Sequence, residues 1–94
     1  MFVGLLTMDI HVPGAASLKD KRSVVKGLKD RIRARFNVSV CESSETSDLW
    51  QRALIGVASV SSEKSHAGEA LDKVAELVRS NPDLDILDYT VEII

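Results

Sequence analysis

The sequence is poor in the residues that carry most recognisable chemistry. Cys41 is the single cysteine, which excludes an internal disulfide framework and any all-cysteine metal site. His11 and His66 have no cysteine or histidine partner at metal-ligand spacing, so neither a metal nor a cofactor is expected. No spacing or third group joins Cys41 to a histidine as a nucleophilic pair, and it reads as a small structural residue. Aromatic residues make up only 4% of the chain, and the third strand lacks the aromatic-rich signature on which RNA-recognition sheets stack bases. There is no glycine-rich phosphate loop and no dinucleotide fingerprint. An acylphosphatase-like reaction needs an arginine in the loop after the first strand, and this loop has none. The chain is therefore not expected to be an enzyme. Long apolar runs are missing too: the N-terminal stretch meets Asp9 and His11 before it spans a bilayer, and it lacks the features of a signal peptide. A cytoplasmic protein without a membrane partner is the expectation.

What the chain does have is segregated charge. Its 94 residues, 45% hydrophobic and 28% charged, suit one globular domain spanning 1–94. Between Ser17 and Phe36 stand Lys19, Lys21, Arg22, Lys26, Lys29, Arg31, Arg33 and Arg35 against only Asp20 and Asp30. That segment carries +6, and since the whole chain is −2, the remainder carries −8.

Periodicity places the segment on a helix. Leu18, Val25, Leu28, Ile32 and Phe36 recur at helical spacing as a buried face, with Val24 at its margin. Ser17 is a good N-cap, with Asp20 in a capping-box-like position. Alternation predicts strands over 2–12, 36–43, 49–60 and 84–94, and a second helix from Ser61 or Ser62 to near Ser80. The inward residues are expected to be Val38 and Val40 in the second strand and Leu49, Gln51, Ala53, Ile55 and Val57 in the third. In the last they are Leu87, Tyr89, Val91 and Ile93. A polar loop covers Ser43 to Ser47. The order β-α-β-β-α-β is that of an α+β ferredoxin-like sandwich. Two helices would cover one face of a four-stranded antiparallel sheet ordered fourth, first, third, second. Antiparallel pairing of the first and third strands would set Asp9 near Arg52 and His11 near Trp50 on the open face.

Several blocks of the sequence resemble a known family. V-G-L-L-T near the start, P-G-A-x-S-L-K-D-K-R-S-V-V-K into the first helix, R-F-N-V-S-V, and D-L-W-Q-R-A with a following glycine are similar to the YlxP-like small bacterial domains of unknown function. The resemblance implies a ferredoxin-like fold and a gene neighbourhood shared with translation-initiation and ribosome-maturation factors. It supplies no activity and no catalytic residues.

Three surfaces are candidates. Lys19, Arg22, Lys26, Lys29 and Arg33 fall on one stripe of the first helix and suit a phosphate backbone; ribosomal RNA or a ribosome-linked protein is the expected partner. An acidic protein or an anionic metabolite is the alternative. Ser17, Lys19, Lys21 and Arg22 form a second, anion-binding candidate, because cations crowded at a helix N-terminus oppose its dipole unless an anion binds there. Lys21, however, points into the apolar arc and is expected to snorkel past the sheet edge or to pair with a carboxylate. Val3, Leu5, Trp50, Arg52 and Leu54 are placed on the open sheet face as the interface of a homodimer.

Overall fold

A computed structural model describes residues 1–94. The elements run β1 (Phe2–His11), α1 (Leu18–Arg35), β2 (Ser39–Glu42), a 3-10 turn (Ser44–Thr46), β3 (Arg52–Ser61), α2 (Lys64–Arg79) and β4 (Asp85–Ile93). The sheet is antiparallel throughout in the order β2-β3-β1-β4, so the fold is the ferredoxin-like α+β sandwich. β1 lies between β3 and β4 because its even residues are almost wholly apolar. Leu6, Met8 and Ile10 are buried on the helix side and meet Val57, Ile55 and Ala53 of β3 across the ladder. α2 packs over β1, β3 and β4, whereas α1 covers β2 at the far edge. Val25, Leu28 and Ile32 of α1 and Leu71, Val74, Ala75 and Val78 of α2 complete one continuous core.

The close approach of α2 to β1 depends on Gly4. A Cβ there would stand 2.7 Å from Leu71 Cδ1, 3.1 Å from Ser59 Oγ and 3.3 Å from the Ala67 carbonyl. Ser59 already donates to that carbonyl from a buried position, so it cannot yield freely. Gly4→Ala is expected to lower stability by about 1–3 kcal/mol through overpacking. Gly56→Ala, whose Cβ would meet only Cys41 Sγ at 3.8 Å, is the control. Urea unfolding of both variants measures the difference.

The structure corrects four boundaries read from alternation. Phe36 belongs to α1 as its C-cap and donates its N–H to the Ile32 carbonyl at 2.9 Å, so β2 pairs only from Ser39. β3 begins at Arg52, and Leu49, Trp50 and Gln51 lie in the preceding bend, all exposed. Gln51 is drawn out of the strand because its amide donates to the carbonyls of Pro13 and Ala15, 3.3 and 3.1 Å away. α2 starts from Glu63 as N-cap, while Ser61, two residues before it, accepts the Glu63 N–H with its Oγ and does not cap the helix. In β4 a register shift between Ile86 and Asp88 puts Ile86 opposite Ile10 and leaves Leu87 as the extra, exposed residue. Tyr89, Val91 and Ile93 do stand opposite the core-side positions Met8, Leu6 and Gly4, but α2 leaves Tyr89 and Val91 exposed at the sheet edge.

Candidate nucleic-acid interface

α1 owes its start to two reciprocal hydrogen bonds. Ser17 Oγ accepts the Asp20 N–H at 3.1 Å, and Asp20 Oδ2 accepts the Ala16 N–H at 3.0 Å. A carboxylate thus already occupies the positive end of the helix. Along one side of the helix stand Lys19, Arg22, Lys26, Lys29 and Arg33, spanning about 21 Å at 1.5 Å per residue. All are exposed except Lys29, which is half-buried. Lys19, Arg22 and Lys29 have no carboxylate within ion-pairing distance.

The other two stripe cations are partly engaged. Lys26 Nζ donates to Asp30 Oδ2 at 2.8 Å, and Arg33 Nη1 is 3.7 Å from Asp30 Oδ1. The hydrogen bond from Lys26, then its charge, with lesser help from Arg33 and Lys29, holds the Asp30 carboxyl below its ordinary value of 3.8. Asp30 is therefore an anion at neutral pH, and it subtracts from the field of the stripe. Arg33 Nη2 also donates to the Val40 carbonyl at 3.1 Å. Ser43 donates to Leu54 on β3, so alternation turns the backbone groups of Val40 outward from the sheet. The arginine thus seals the free edge of β2 and fixes the end of the stripe against the sheet.

Lys21 is the largest wholly buried side chain in the protein. Its ammonium donates to Glu42 Oε2 at 2.6 Å and to the Thr46 carbonyl at 2.8 Å. Thr46 Oγ1 donates to the same carboxylate oxygen at 2.9 Å and accepts the Leu54 N–H at 2.9 Å. Every buried polar side-chain atom is paired. The polar loop between β2 and β3 is consequently a hydrogen-bonded 3-10 turn, capped by Ser43 and tied to both α1 and β3. This arrangement dismantles the four-residue anion site read from the sequence. Ser17 is committed to the helix cap and Lys21 to Glu42, which leaves Lys19 and Arg22 alone beside a carboxylate. The cleft of about 300 Å³ beside the β1–α1 loop is lined by Asp20 and Asp83 and by no cation.

The residues assigned to a dimer interface are scattered in character. Val3 lies opposite Val60 on the open face, where they are 37% and 66% exposed, and Leu5 and Leu54 are half-buried. Arg52 forms a two-pronged ion pair with Asp9, as strand pairing leads one to expect. His11 Nδ1, by contrast, lies 3.9 Å from Asp85 Oδ2, and Trp50 is 57% exposed outside the strand.

Residues 3–91 match the family model described as a protein of unknown function, DUF503. The chain belongs to that family. It is also similar to the uncharacterized protein YlxP of Bacillus subtilis strain 168, with 34% identity over 83 residues, covering 88% of this chain and 89% of YlxP. The matched span in DUF503 includes all of α1, the Lys21–Glu42–Thr46 network and most of β4. Sequence reasoning missed two parts of the site, Asp30 as a charge brake and Glu42 as the partner of Lys21. A lysine in an apolar arc signalled the second, but its partner lies in another strand. No helix is long and apolar enough to cross a membrane.

Proposed function

We propose that this protein is a non-enzymatic, cytoplasmic module that binds RNA, in particular the RNA of ribosomal particles, through the basic stripe of α1. One observation carries the reading: Lys19, Arg22 and Lys29 are aligned on a helix pinned to the sheet by Lys21, and none of the three has an acidic partner. Exposed cations without partners are the groups that release counterions when they meet phosphates. The acid of the chain lies elsewhere, since the residues outside 17–36 sum to −8. On the open sheet face Asp9 is paired with Arg52, while Asp88 and Glu92 stand opposite Asp9 and Leu5 and repel phosphates. A helix face, not the sheet, is therefore the nucleic-acid surface. The gene neighbourhood implied by the family resemblance favours ribosomal RNA over other nucleic acids.

The test is co-sedimentation of the purified protein with ribosomal particles at several salt concentrations, with and without nuclease. Association is expected to fall as salt rises and to disappear after nuclease treatment. Salt-sensitive association that survives nuclease would assign the stripe to an acidic protein instead. Asp30→Asn sharpens the test. It frees Lys26, releases Arg33 Nη1 while Nη2 keeps the Val40 carbonyl, and removes a repelling charge, so it is expected to tighten RNA binding a few fold at low salt. Unchanged or weaker binding would mean that the phosphates do not lie along this side of α1.

A further inference from the structure

β4 is the outermost strand of the sheet and pairs only with β1. Val3 N–H donates to the Ile94 carbonyl at 3.0 Å, and Ile94 N–H donates to the Val3 carbonyl at 2.7 Å. These two residues are a doubly bonded pair. Alternation then makes Leu5–Glu92 and Thr7–Thr90 the next bonded pairs, and turns the backbone groups of Tyr89, Val91 and Ile93 away from β1. Nothing within the chain meets them. The side chains of Tyr89 and Val91, on the helix side of this edge, are 41% and 38% exposed. β4 has no lysine or proline to guard this edge. Its charges Asp88 and Glu92 lie on the open face, its irregularity is confined to Leu87, and Arg79 of α2 stacks over the Tyr89 ring at 4.8 Å without reaching the outward backbone groups.

We infer that this edge pairs with the same edge of a second copy, about a two-fold axis through Val91, to give one continuous eight-stranded sheet. A second copy offers the same outward backbone groups, and the charge pattern selects the register. The outward groups allow antiparallel self-pairing centred on Tyr89, Thr90 or Val91. Centred on Thr90, Asp88 would face Glu92 directly, which like charges disfavour. Centred on Tyr89, the pairing would run through the irregularity at Leu87. Centred on Val91, Glu92 faces Thr90 and Asp88 faces Ile94, so no two acids are opposite. On the helix side Val91 then meets Val91 and Tyr89 meets Ile93, an aromatic against a β-branched residue. The axis is perpendicular to the sheet, so all four helices stay on one face. The two α1 helices stand beyond opposite ends, above β2 strands about 34 Å apart at ~4.8 Å per strand step. The inference does not depend on RNA binding.

Sedimentation equilibrium of the full chain from micromolar to millimolar concentration tests it. The wild type is expected to pass from monomer to dimer within that range, because an edge seam is smaller than a standard interface. Val91→Pro removes only an outward N–H, and Val91→Lys places two cations against each other at the axis. Each is expected to weaken the dimer at least tenfold, with the circular dichroism of the monomer unchanged. Should the proline variant fail to fold, the lysine variant gives the answer. Val60→Glu and Trp50→Glu, on the open face and in the bend before β3, are expected to leave the dimer intact. Three results would overturn the inference. One is a monomer throughout the range. Another is a dimer lost in Val60→Glu or Trp50→Glu and kept in both Val91 variants. The third is a monomeric wild type whose edge instead binds a synthetic peptide alternating lysine and valine, which would give β4 to a basic strand of another protein.

Discussion

Charge reversal of Lys19, Arg22 and Lys29 together is expected to weaken RNA binding by at least an order of magnitude while leaving the fold intact. The three side chains have no ion-pair partner to lose; Lys19 and Arg22 are exposed and Lys29 is half-buried, and unpaired surface charges of this kind contribute little to stability. If each meets one phosphate, the slope of log K against log salt falls by about one unit per contact removed, a little less for single strands. Titration of a fluorescent ribosomal RNA fragment at several salt concentrations measures both quantities. Reversal of Lys64 and Lys73 on α2 is the control, because both are exposed but no stripe surrounds them. Equal losses in the two sets would show that diffuse charge alone attracts RNA. An unchanged affinity in the α1 variant would end the proposal that α1 is the binding surface.

Lys21→Ala is expected to produce the largest loss of stability of any single substitution in the chain. Removing one partner of a buried ion pair typically costs about 3–5 kcal/mol, since the other charge is left without compensation. Here the orphan is Glu42, whose Oε2 keeps only the Thr46 hydroxyl, while the Thr46 carbonyl loses its donor. Much of the loss arises at the junction of α1 with the turn between β2 and β3. The double substitution Lys21→Met with Glu42→Leu is expected to recover most of the loss, because apolar replacements of a buried pair are often neutral. Chemical denaturation of Lys21→Met, Glu42→Leu and the double variant completes the cycle. A Lys21→Ala variant within about 1 kcal/mol of wild type would show that water reaches the Glu42 carboxylate and that the network is not a buried anchor.

The two predictions separate two uses of lysine on one helix. Lys19 and Lys21 are two residues apart, and 200° of helical rotation sends one to solvent and the other beneath β2. The buried pair explains why α1 holds its place although it touches chiefly the shortest strand. β2 supplies that side of the core with one buried residue, Val40, while α1 supplies Val25, Leu28 and Ile32. Lys21 adds a directional tie that apolar contact does not supply.

The element order, the strand order and the basic stripe were legible from the chain alone, because each rests on a local period. Apolar residues at helical spacing define α1 and α2, and the even residues of β1 define the core face whatever the rest of the chain does. The cation stripe follows from the same rotation. Legibility ended where a residue's surroundings come from distant parts of the chain. Gln51 fits a strand by alternation, yet the unpaired carbonyls of Pro13 and Ala15 pull it into a bend. Lys21 reads as an anomaly until Glu42 and Thr46 arrive from another strand and the following turn to receive it. Asp30 is a neighbour in sequence, but only the side-chain geometry turns it against Lys26 and Arg33. The exposed row on β4 was assigned to the core because alternation shows which side a residue faces, not whether anything covers it. Coverage depends on where α2 lies across the sheet and on the extra residue at Leu87. Local periodicity sets the faces; the packing of distant segments sets which are covered, which charges are spent, and which backbone groups are left open.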